Sequence, residues 1–167
     1  MIQLRKALPT DAPILRLWDK QAHVMDSDSN DDWDWDYELN NEPDWRWQLM
    51  AEEDGRPVGI VQIIDPQLEQ THYWGGCGPG LKAIDIWIGM PEDLNRGYGS
   101  QMMKQALDFC FDDSTTKEVW IDPLASNTSA IRFYQRLGFE FVEERTFGED
   151  HCHVYRMTRT KWCAEKA

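Results

Sequence analysis

Arg96-Gly97-Tyr98-Gly99-Ser100 is the stretch of this chain best suited to chemistry. It follows an apolar, β-branched run, Ala83–Gly89, and a short loop, Met90–Asn95. It opens an amphipathic run in which Met102, Met103, Ala106, Leu107 and Cys110 recur with helical spacing. Strand, glycine loop and helix together make an anion site. Glycine lets the backbone approach a ligand, and the first free N–H groups and dipole of a helix favour negative charge. Arg96 adds a cation, so a phosphate or pyrophosphate suits the turn. The same spacing also fits a helix start that merely carries two glycines. Asp85 is the second candidate. A carboxylate inside an apolar strand is costly unless it is paired or opens on a cleft. It is therefore either a charge tied to an arginine or a group that binds an ammonium and accepts its proton.

A second stretch, 118–139, reads EVWIDPLASNTSAIRFYQRLGF. Asn127, Ala130, Tyr134, Gly138 and Phe139 match the Asn-x-x-Ala-x-x-x-Tyr-x-x-x-Gly-Phe signature of the GNAT superfamily of acetyl-CoA-dependent N-acetyltransferases, which the chain resembles over roughly Ile2 to Met157. The resemblance implies an α/β (α+β) GNAT fold: a mixed, mostly antiparallel central sheet flanked by helices on both faces. It implies acetyl-CoA as co-substrate, its pyrophosphate on Asn95, Arg96, Gly97, Tyr98, Gly99 and Ser100. A backbone N–H from Trp87, Ile88 or Gly89 would polarise the thioester. Tyr134 would serve the departing thiolate and Asn127 would touch the coenzyme. On the residues alone, Tyr134 also fits an aromatic packing its helix on the sheet, and Asn127 a simple N-cap. The family usually has Arg or Gln three residues before the first glycine of the pair and glycine two before it. Here Leu94 and Asn95 stand there.

Ile84-Asp85, the Trp74-Gly75-Gly76 loop and Ile121-Asp122-Pro123 resemble one branch in particular, the aminoglycoside 6′-N-acetyltransferases. That implies an acceptor amine held by Asp85 and Asp122. Trp33, Asp34 and Trp74 join them as candidate substrate contacts. Polyamines, siderophore precursors and protein N-termini are alternative acceptors, and a coenzyme-binding module without turnover is the alternative class.

Net charge is −13. Nine carboxylates and no Lys or Arg lie between Asp26 and Asp44, leaving 21 acids against 17 bases elsewhere. Such a field repels nucleic acid and attracts cations. Trp33, Trp35 and Tyr37 are interleaved with those acids, so the segment reads either as a solvated loop or as a substrate-facing loop or short helix. No apolar run is long enough to cross a membrane. The scattered Cys77, Cys110, Cys152 and Cys163 read as reduced thiols in a cytoplasmic protein. No metal is expected: His151-Cys152-His153 falls in a strand, whose alternation of side-chain direction counts against a shared ion.

One domain spanning 1–167 is expected, with elements to position these residues. Ile2–Leu4 is a first strand. One helix runs from near Pro13, capped by Thr10 or Asp11, to near Asp26. Asp44–Glu52 and Val58–Ile64 form a hairpin about Asp54-Gly55, with Gly59 at a bulge or close approach. After the strand at 83–89 and its helix come a strand at Glu118–Ile121 and a helix at 128–137 stopped by Gly138. A final hairpin joins Phe139–Glu143 and His153–Met157 around Gly148-Glu149-Asp150.

Overall fold

The computed structural model describes residues 1–27 and 33–166. The described residues form seven strands: β1 (Ile2–Lys6), β2 (Arg46–Glu53), β3 (Arg56–Ile64), β4 (Leu81–Ile88), β5 (Glu118–Ile121), β6 (Glu140–Phe147) and β7 (Asp150–Thr158). The helices among the described residues are α1 (Ala12–Asp19), α2 (Ala22–Ser27), α3 (Trp35–Asn40), α4 (Tyr98–Asp112), α5 (Thr128–Arg136) and α6 (Arg159–Lys166), with 3₁₀ turns at Pro9–Asp11 and Pro91–Asp93. The strand order is β1-β2-β3-β4-β5-β7-β6. β4 and β5 pair in parallel, whereas β1/β2, β5/β7 and β6/β7 are antiparallel. This is the mixed sheet that the resemblance implies. The chain forms two compact units, Met1–Ile63 with Asp85–Ala106, and Ile64–Ile84 with Leu107–Ala167.

The first unit packs around Leu15, Trp18, Trp35, Leu39, Met50 and Ile60, all buried. The helix expected over 13–26 is two helices. The Lys20 and Gln21 N–H groups turn back to Leu17 O and Trp18 O, and such i→i−3 bonds tighten and end an α-helix. Buried Trp18 and the bond from Trp35 Nε1 to Asp19 (2.6 Å) hold that end in place. Asp11 starts α1 without capping it, because its carboxylate takes the Arg5 guanidinium and the Leu8 N–H at 2.8 Å each. The Asp54-Gly55 turn forms as expected, both residues having positive φ (49° and 79°).

Gly59 is a close approach: a Cβ there would stand 2.6 Å from Trp87 O. Gly89 is tighter still, with a Cβ only 2.0 Å from the Trp18 ring.

In the second unit Trp74, Ala83 and Val154 form a buried cluster edged by Ile64, Trp120, Val142 and Phe147. α5 starts and stops where expected, Asn127 capping it through the Ala130 N–H and Gly138 taking φ +96°. The last hairpin is longer than expected, running to Phe147 and back from Asp150. The added rungs pair Glu144 with His153, Arg145 with Cys152, Thr146 with His151 and Phe147 with Asp150. α6 was not expected. Its sequence, RTKWCAEK, offers one large apolar residue, Trp162, which is buried.

The two histidines of β7 differ from the expectation. Strand alternation separates His151 from Cys152, but His151 and His153 are two apart and share a face. Their rings lie 6.1 Å apart.

Gly89→Ala should cost about 1–3 kcal/mol through overpacking against Trp18. A thermal melt should fall by at least about 3 °C. Gly78→Ala, where a Cβ meets nothing within 4 Å, should stay within about 0.5 kcal/mol. Equal melting temperatures for the two variants would refute the packing.

Candidate active site

The glycine loop lies in the first unit. Asn95 (φ +60°) and Gly97 (φ +80°) both take left-handed geometry on either side of Arg96. Glycine accepts that geometry freely, and asparagine is among the few other residues that do so at low cost. Asn95 therefore keeps the backbone path at a place the family fills with glycine. α4 begins at Tyr98, so the N–H groups of Tyr98, Gly99 and Ser100 have no intrahelical carbonyl, while Gln101 N–H reaches Gly97 O at 3.3 Å. A Cβ at Gly97 would meet nothing within 4 Å, which leaves the turn open to a ligand.

A polar framework missed by sequence reasoning fixes this turn. The Asp93 carboxylate, 1% exposed, receives both Arg56 guanidinium nitrogens at 2.8 Å, and Arg96 at 3.6 Å. Arg96 remains half exposed, with its guanidinium 5.2 Å from the Tyr98 ring centroid. The Tyr98 hydroxyl donates to Glu53. Gln101 and Gln105 bond Ile2 N–H and O at 2.9 and 2.7 Å, tying α4 to β1. Arg56 holds Asp93 below the ordinary carboxylate range, against a smaller opposing effect of burial. No spacing rule links residues 37 apart, so only Asp54-Gly55 beside Arg56 hinted at this framework.

At the end of β4, Gly89 N–H donates to Val58 O (2.9 Å) and Ile88 O meets His23 Nε2 (2.8 Å). Gly89 is thus removed from the candidate thioester donors. N–H direction alternates along a strand, so that of Ile88 turns to the other edge. Asp85 is exposed, directly after buried Ala83 and Ile84. Trp87 lies 6.3 and 6.2 Å from Trp33 and Trp35, which stack on each other at 5.2 Å.

Residues 33–44 of the acidic segment are more structured than a solvated loop. Trp35 and Leu39 enter the core, and Asp34 caps α3 through the Tyr37 N–H at 3.2 Å. Asp36, Glu38 and Glu42 are paired with Arg16, Arg46 and Lys6. Asp28, Asp31 and Asp32 lie outside the described residues. Asp34 thus has a structural task, and Trp33 is the half-buried aromatic of the group.

In the second unit Glu69, 7% exposed, accepts Thr71 and Tyr73 N–H at 2.8 and 3.0 Å and so shapes the 65–80 loop. Trp74, 6% exposed, is a wedge between Trp120 and Phe147, with centroids at 5.6 and 5.2 Å. The exposed aromatic is its neighbour, Tyr73. It stacks on Phe147 (4.4 Å) and donates its hydroxyl to Asp122 at 2.6 Å. Arg145 lies over Trp74 and Phe147 and donates to Trp74 O at 3.3 Å. Tyr73 and Arg145 were missed, and the aromatic run 73–74 was the available signal. Tyr134 is buried at 8%, edge-on to Phe139. The Asn127 side-chain oxygen is occupied as the α5 cap.

A family profile, Acetyltransferase (GNAT) domain, matches residues 7–147. The chain belongs to the GNAT acetyltransferase family. It is similar to the aminoglycoside N(6′)-acetyltransferase type 1 of Klebsiella pneumoniae, with 29% identity over 52% of this chain and 43% of that protein. It is also similar to a kanamycin resistance protein of Rhizobium radiobacter, with 31% identity over 44% of this chain and 68% of that protein. The chain's match thus spans less than half the length of the Klebsiella relative. Among solved structures, aminoglycoside acetyltransferase AAC(6′)-Ib in complex with coenzyme A and kanamycin superposes with a TM-score of 0.89 at 21% identity, over 100% of both chains. Spermidine N-acetyltransferase from Vibrio cholerae superposes at 0.76 with 16% identity, over 97% of this chain and 98% of that one. These likenesses establish the GNAT fold.

Within this GNAT chain, Arg56→Ala strands a buried carboxylate. It should cost about 1–2 kcal/mol, since Arg56 is half exposed and solvent screens part of the pair. Because Asp93's folded pKa is lowered, pairing contributes stability that is full above the ordinary 3.8 and lost as pH falls below it. The variant should lose less stability than the parent between about pH 7 and about pH 3, read from urea midpoints. An undiminished acid dependence counts against this assignment.

Proposed function

We propose that the protein transfers acetyl from acetyl-CoA to a primary amine of a polycationic small molecule, the 6′-amine of an aminoglycoside being the favoured acceptor. The observation that carries the reading is the left-handed Asn95–Gly97 turn at the head of α4 in a chain of the GNAT family. Its unpaired N–H groups and Arg96 suit the coenzyme's pyrophosphate. The similarity to aminoglycoside 6′-N-acetyltransferase and kanamycin resistance proteins supports the acceptor.

The chemistry divides among the chain's own groups. An acceptor ammonium must lose a proton before it attacks. Asp85 binds it and takes that proton, directly or through water. Negative charge then develops on the thioester oxygen, where a backbone N–H at the end of β4 is the donor; Ile88 fits best, its neighbour at Gly89 being committed to Val58. The departing thiolate takes a proton from Tyr134, and the phenol is restored by the proton that the attacking nitrogen releases as the intermediate collapses to the amide. Asp122, oriented by Tyr73, holds a second ammonium of the acceptor. The four cysteines carry free thiols, which supports a reducing, cytoplasmic setting.

A polyamine acceptor is the second reading, favoured by the likeness to spermidine N-acetyltransferase. A thiol-release assay with acetyl-CoA across kanamycin, tobramycin, spermidine and an N-terminal peptide separates the readings. Release with the antibiotics is expected. Release with spermidine alone would move the assignment to polyamines, and coenzyme binding without release on any amine would make the chain a binding module. Asp85→Asn should lower kcat about 100-fold and leave acetyl-CoA affinity unchanged by calorimetry. Unchanged kcat removes Asp85 from the mechanism. Asp122→Asn should raise the acceptor KM more than it lowers kcat, and the opposite split would contradict its binding role.

A further inference from the structure

We propose that Glu144, His151 and His153 form a surface site for a divalent transition metal of the zinc class, clipping β6 to β7. The register sets the three on one face. Glu144 is paired with His153, and Thr146 with His151, so the second histidine stands one step along the same face. His151 Nε2 lies 3.5 Å from one Glu144 oxygen, and His153 Nε2 3.4 Å from the other. One ligand atom from each residue falls within 4.8 Å of the others.

These separations are informative. They exceed the 2.7–3.2 Å of a normal N–H···O hydrogen bond. They are close to the spacing of about 3.3 Å that two ligand atoms adopt around tetrahedral zinc with bonds near 2.0–2.1 Å. Two imidazoles and one carboxylate suit zinc, nickel or copper, whereas calcium and magnesium call for oxygen ligands. A fourth position stays open to water. Phe141 lies edge-on to His153 at 5.7 Å and limits how that ring can turn.

The site would act on the hairpin rather than on the reaction. Arg145 and Phe147 alternate with Glu144 along β6, so the groups that contact Trp74 and Tyr73 lie on the opposite face. The β7 backbone also supports the segment after Asp122: His151 O accepts from Ala125 N–H at 2.9 Å, and His153 N–H donates to Pro123 O at 3.0 Å. A metal here braces the strand on which that segment rests.

The test uses the full chain without added histidines, stripped with EDTA and titrated with zinc sulfate by calorimetry. One zinc per chain and a zinc-dependent rise in melting temperature are expected. Glu144→Gln, His151→Gln and His153→Gln should each weaken binding beyond the roughly 10–100-fold that losing an outer-shell partner costs. His72→Gln and Cys163→Ser should bind as the parent does. Glu144, 59% exposed, can be replaced without disturbing the core, so its variant decides if a histidine variant fails to fold. Absence of uptake, uptake unchanged in Glu144→Gln, or uptake abolished by Cys163→Ser overturns the proposal.

Discussion

A buried carboxylate governs the glycine turn of the first unit: Asp93, capped by the Arg56 fork and leaning on Arg96, sits at the root of the turn that opens α4. A helix N-terminus offers its N–H groups only in the direction its first turn points. The direction here is set by two left-handed residues, by the Asp93 clamp behind them and by the glutamines that tie α4 to β1. Removal of one partner from such a clamp leaves a desolvated charge, so the framework is held as a unit rather than as separate pairs. Arg96 itself remains half exposed, a cation anchored at one side and available at the other.

Much of the acidity and aromatic content has a structural task. Asp34, Asp36, Glu38 and Glu42 cap a helix or pair with bases from other elements, and Trp35 and Trp74 are core wedges. The proposed function draws on two other acids, exposed Asp85 on its strand and Asp122 bonded by Tyr73. A tyrosine stacked on Phe147 and bonded to a carboxylate fixes the direction of that carboxylate, which matters more for binding an ammonium than the number of acids nearby.

Local chemistry made much of the fold legible. The left-handed Asp54-Gly55 turn, the Asn127 cap, the Gly138 stop and the apolar stripe of α4 each depend on neighbours within a few residues. The same holds for the loop at Arg96–Ser100. Features set by distant partners were not legible. The break between α1 and α2 answers to Trp18 and Trp35, α6 is held by buried Trp162 and by Arg159 bonding the carbonyls of Phe111, Asp113 and Thr116, and the last hairpin is lengthened by pairing between β6 and β7. Within the site, Tyr73 was passed over for its larger neighbour because exposure is not written in residue type.

The sequence by itself determined the strand–turn–helix that offers N–H groups to an anion, the signature at Asn127–Phe139, and a carboxylate within a strand at Asp85. Those follow from backbone geometry and side-chain periodicity, which act over a few residues. Tertiary structure alone decided which acids of the 33–44 segment are paired, that Arg56 clamps Asp93, that Tyr73 rather than Trp74 meets Asp122, and that Glu144 shares a face with two histidines. Those depend on register and packing between segments far apart in the chain, and no local rule carries that information.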